Sequence, residues 1–133
     1  MNLSLAKIAS VVYRGTDYAL WFSSAAGLTN GCIEARHSNN FNHAFGDAFI
    51  HNFEMGFFVS QAYPVLIDYL AKTNHARLYS NAFHLSMIAA LFTWHSFSGT
   101  QNPAYSMIPS LIVGTLKVNK EISDRNTIDE KVV

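Results

Sequence analysis

Five polar residues recur along one side of an apolar stretch. Asp47, His51, Glu54, Gln61 and Asp68 follow one another at intervals of 4, 3, 7 and 7 positions. In an α-helix that spacing lays them on a single stripe. Carboxylates and imidazoles so placed could ligate zinc or iron, relay protons, or satisfy one another in a packed interior. No H-E-x-x-H motif accompanies them, and no metal is assigned. His84 and His95 are nearly aligned on the next apolar stretch and could hold a haem between facing helices. Asp17 and Ser24 lie on the first stretch, beside a Gly27-x-x-x-Gly31 pair that permits close helix contact. Spacing alone leaves these readings open.

The elements that would carry these residues are helices. Only 14% of the 133 residues are charged, against roughly 25% in ordinary soluble domains. Apolar segments cover residues 17–33, 44–71 and 80–98, each near the roughly 17–25 residues that cross a bilayer. A fourth, 103–116, is shorter and contains Pro109. Polar stretches at 35–42, 72–77 and 99–103 read as loops. Residues 117–133 read as a polar C-terminal tail after a membrane-anchor domain over 1–116. The expected fold is therefore all-α, an integral membrane bundle of three transmembrane helices with room for a short fourth. Four spans would leave Arg36 alone on the outer side among the basic residues, as the positive-inside rule prefers. The slightly positive mean hydropathy also suits a soluble helical domain.

Other classes are bounded by composition. The formal net charge is zero, so nothing argues for nucleic acid as a partner. The single cysteine, Cys32, excludes an internal disulfide or a cysteine-based cluster and is expected to be a packing residue. The first residues, with Lys7 and Arg14, form a short amphipathic stretch and not a cleaved signal.

The run Ser10-Val11-Val12-Tyr13-Arg14-Gly15-Thr16-Asp17 resembles the cytochrome b subunit of succinate dehydrogenase (complex II), the larger of its two membrane anchors. That family carries Ser-x-x-His-Arg-x-Ser/Thr-Gly before its first membrane helix. Ser10, Arg14 and Thr16 match; Tyr13 stands in place of His, and Asp17 in place of Gly. The resemblance implies that Ser10 and Arg14 line a ubiquinone site. It implies iron–sulfur and flavoprotein subunits, a second small membrane anchor and the lipid bilayer as partners. The implied location is the mitochondrial inner membrane or a bacterial plasma membrane. The family's haem b ligand, a His after Tyr in the second helix, is replaced here by Pro64 after Tyr63. His84 lies about as far from the inner loop as Pro64 does, and is the geometric substitute for a haem ligand. Asp68-Tyr69 is similar to a pair in the smaller anchor, which implies a quinone contact for Tyr69.

The expectation is a subunit without catalytic residues of its own, anchoring a succinate:ubiquinone oxidoreductase and contributing to its quinone site. Two alternatives stand beside it. One is a proton- or ion-coupled transporter or channel built on Asp47, His51, Glu54 and His95. The other is an accessory respiratory subunit with no chemistry.

Overall fold

A computed structural model describes residues 4–37, 39–98 and 107–132. They form five α-helices: α1 (Leu5–Ala35), α2 (Phe41–Ser60), α3 (Ala62–Leu70), α4 (Ala76–Ser98) and α5 (Met107–Val132). The Ser4 side chain caps α1 by accepting from the Lys7 backbone N–H at 3.3 Å, which satisfies one of the otherwise unpaired first-turn donors. The turn into α2 uses Asn39 at φ 56°, a left-handed conformation that Asn tolerates better than most residues. The apolar run expected to be one helix over 44–71 is broken at Gln61. Pro64 has no N–H to give the Ser60 carbonyl, and its ring crowds that same carbonyl.

The all-α expectation is met, but the membrane bundle is not. Among the described residues no helix is both long and apolar enough to cross a membrane. The physical reasons are plain in the first two segments. The first is diluted by Ser23, Ser24, Thr29, Asn30 and glycines, and ends on Glu34. The second is cut at Gln61, and its longer piece carries Asp47, His51 and Glu54. The residues from Lys117, expected as a tail, continue α5.

The chain divides into two units, Met1–Leu66 and Ile67–Val133. In the first, α1 and α2 pack as an antiparallel hairpin. A buried face of small residues on α1, including Gly15, Ala19, Ala26, Gly27 and Gly31, meets a ridge of rings on α2. Phe41, Phe45, Phe49, Phe53 and Phe57 recur every fourth residue, with successive centroids 5.7–6.2 Å apart. That period follows the i±4 ridge of a helix, which packs into a complementary groove. Phe41 sits over Gly31, where a Cβ would come within 2.7 Å of its ring. Phe45 sits over Gly27, where a Cβ would meet the ring and the Phe45 carbonyl at 3.1 Å. The glycine pair does admit close approach, of rings as well as of backbone.

In the second unit α4 and α5 run antiparallel. Leu91 and Ile108 are buried together, with Ile88 and Leu111 against them. Val118 and Ile122 extend the buried face of α5. The positions 108, 111, 115, 118 and 122 alternate steps of three and four, the spacing of a two-helix seam. Polar ties fix the register. Asn119 Nδ2 donates to Asn81 Oδ1 at 2.9 Å, and Arg125 pairs with Asp68.

Candidate functional site

Ser10 and Arg14 both lie on α1, one helical turn apart. Ser10 is exposed and Arg14 half-buried. Thr16, the third matching residue of the run, turns its hydroxyl back to the Val12 carbonyl at 2.7 Å, so it serves the helix backbone. The residues that α2 and its continuation cover begin at Gly15, whose absent Cβ would lie 2.2 Å from Gln61 Oε1. The Ser10–Arg14 turn therefore precedes the packed part of the hairpin.

Tyr69 and His84 belong to the other unit. Tyr69 is 71% exposed at the end of α3. His84 is 3% exposed on α4, and its Nδ1 lies 2.8 Å from the Ser80 carbonyl. A carbonyl only accepts, so Nδ1 carries the proton and the ring is oriented by its own helix. Phe83 meets the ring edge-on at 5.5 Å. The imidazole is thus buried in the packing of α4, and Nε2 is the ring nitrogen left without the proton.

The polar stripe does not face an interior. Asp47 is paired with His43 at 3.1 Å, with side chains 73% and 69% exposed. His51 and Glu54 are exposed too. Only Gln61 turns inward, while Asp68 is taken by Arg125. The rings of the phenylalanine ridge occupy the packing side of α2, which leaves the charged stripe to solvent. Among the described residues no group of three His, Cys, Asp or Glu is placed to hold a metal ion. The side chain of His95 lies outside the described residues. Cys32, expected in the packing, is exposed.

A buried aromatic and polar joint escaped the sequence reading. Tyr18 is completely buried and stacks on Tyr63, with centroids 4.9 Å apart and planes 17° apart. Phe22 tilts against both, at 5.8 and 5.1 Å. Burial pushes the Tyr63 phenol up to about 12, because the phenolate loses hydration it cannot recover. Next to the joint, both amide atoms of Gln61 are buried with no hydrogen-bond partner among the described residues. The available signal was the i, i+4 pair Tyr18 and Phe22, opposite a Tyr-Pro that had to end a helix.

No family model matches the chain, and neither does any curated protein or solved structure. The functional reading therefore rests on the residues. Tyr63 is a neutral phenol held in a stacked joint, a structural element and not an activated nucleophile. Of the positions marked by the resemblance of residues 10–16, Ser10 and Arg14 share one turn of α1, Ser10 exposed and Arg14 half-buried.

Proposed function

We propose that the chain is a non-catalytic helical subunit of a quinone-reducing respiratory assembly of the succinate:ubiquinone oxidoreductase type. The observation that carries this reading is the pairing of Ser10 and Arg14 on one turn near the start of α1. A quinone head needs donors at its carbonyl oxygens and compensation for the negative charge that develops on them during reduction. A serine hydroxyl supplies the first. A guanidinium, always cationic, supplies the second. The resemblance of residues 10–16 to the complex II anchor points to the same chemistry.

The subunit would contribute no flavin or iron–sulfur ligands. Its partners would be the flavoprotein and iron–sulfur subunits and a second small anchor, at a mitochondrial inner or bacterial plasma membrane. The surface supports an assembly role. Large apolar side chains such as Tyr13, Met55 and Phe58 of the first unit are 71–82% exposed, and a partner that covered them would gain from their burial. The transporter alternative would need copies of the chain to enclose Asp47, His51 and Glu54, which are exposed on the single chain. The test is kinetic. In the assembled complex, Arg14→Ala should lower quinone reduction by about 10²-fold, the scale for losing one oxyanion-stabilising group. Succinate oxidation by an artificial acceptor should stay unchanged. Unchanged quinone reduction would remove Arg14 from the site.

A further inference from the structure

The first two and a half turns of α1 have a two-sided pattern that the hairpin does not use. Residues 4–10 are all exposed, and the first fully buried position of α1 is Gly15. Roughly 15 Å of helix, at 1.5 Å per residue, thus precedes the packed region. Leu5, Ile8 and Val12 fall within about 60° of one another around the axis, at about 100° per residue. They are 84%, 45% and 45% exposed. Lys7, Ser10 and Arg14 fall within a similar arc on the opposite side. Lys7 is exposed. No Asp or Glu occurs before Asp17, so the segment is basic as well as amphipathic.

We propose that residues 5–14 dock in the plane of an anionic phospholipid surface, with Leu5, Ile8 and Val12 entering the acyl boundary and Lys7 among the headgroups. An apolar stripe backed by basic residues, too short to span, is the pattern of an interfacial helix. Charge selects the occupant. An uncharged apolar stripe would suit any hydrophobic partner, but one flanked only by cations complements an anionic bilayer. The docking stands without the quinone reading.

The full chain would be sedimented with phosphatidylcholine vesicles, with and without about one third phosphatidylserine. It should bind the anionic vesicles and bind the neutral ones markedly less. Lys7→Gln should weaken binding to the anionic vesicles by roughly fivefold, the effect of one basic residue near such a surface. Leu5→Ser with Ile8→Ser should abolish it. All three positions are exposed and outside the hairpin core, and circular dichroism verifies that the variants remain helical. Equal binding to both vesicle types, or indifference to Lys7, overturns the proposal. So does a chain that ignores vesicles but forms a dimer lost in Leu5→Ser, since the stripe would then belong to a second copy. The vesicle experiment uses the isolated chain, so its failure leaves the Arg14 kinetic test untouched.

Discussion

Gly15 and Gln61 meet so closely that no side chain fits between them. A Cβ on Gly15 would lie 2.2 Å from Gln61 Oε1 and 2.9 Å from the Gln61 Cα. The amide end could swing aside, but the backbone of Gln61 cannot without moving the break between α2 and α3. Gly15→Ala is therefore predicted to destabilise the first unit by about 1–3 kcal/mol, the range for overpacking a tight contact. Gly46 and Gly56 on α2 have nothing within 4 Å of the same position. Alanine there should stabilise by roughly 0.5–1 kcal/mol through helix propensity. Urea denaturation of the three variants checks the contrast in sign.

The phenylalanine ridge makes a second prediction. Phe45 stacks between Phe41 and Phe49 at 6.0 Å on each side and covers Gly27. Phe45→Ala removes two ring contacts and half-buried apolar area, for a loss of about 2–4 kcal/mol. Phe58 is 82% exposed, and Phe58→Ala should change the isolated chain's stability by less than about 0.5 kcal/mol. Parallel thermal melts distinguish the two.

The ion pair of Asp68 with Arg125 ties α5 to the end of α3 within the second unit. Its side chains are 45% and 37% exposed, so solvent and salt screen it. Asp68→Asn should cost no more than about 1 kcal/mol, and the difference from the unaltered chain should shrink at high salt. A large, salt-independent loss in chemical denaturation would contradict this weight.

Tyr63 gives a pH dependence with a definite sign. Its folded-state value is raised from 10.0 to about 12 by burial. Folding then holds a proton that the unfolded chain releases. The corresponding stability is fully present below pH 10 and is lost as the pH climbs through 12. Ultraviolet titration should show late phenol ionisation, and Tyr63→Phe should reduce its amplitude by one group. The same variant should flatten the fall in stability over this alkaline window.

Much of this architecture was legible in the residues. The loop after Ala35, the helices on either side of residues 72–77 and the Gly27–Gly31 contact all follow from punctuation by polar, small and turn-forming residues. The phenylalanine ridge is equally visible as a four-residue period, beside the charged stripe. That stripe misled because periodicity says which residues share a side of a helix and not which side faces inward. Here bulky rings, which gain more from burial than carboxylates do, took the inner side. Pro64 marked the broken helix, since its missing N–H leaves the Ser60 carbonyl without its helical donor. The membrane expectation failed by treating a low charge count as sufficient. Ser, Thr, Asn and Gly residues lower the hydropathy of α1 and charges lower that of α2, and no described helix is long and apolar enough for a span. The burial of His84 and the exposure of Cys32 depend on how α4 and α1 are rotated against their neighbours, which local sequence does not encode.

The most direct test of the central claim is purification of the tagged chain from its own cells in mild detergent, with identification of everything that elutes with it. The account predicts a fixed-ratio complex containing a flavoprotein and an iron–sulfur subunit, with succinate-to-quinone activity in the same fractions. A chain that elutes alone, or only as copies of itself with no flavin in the peak, would contradict it.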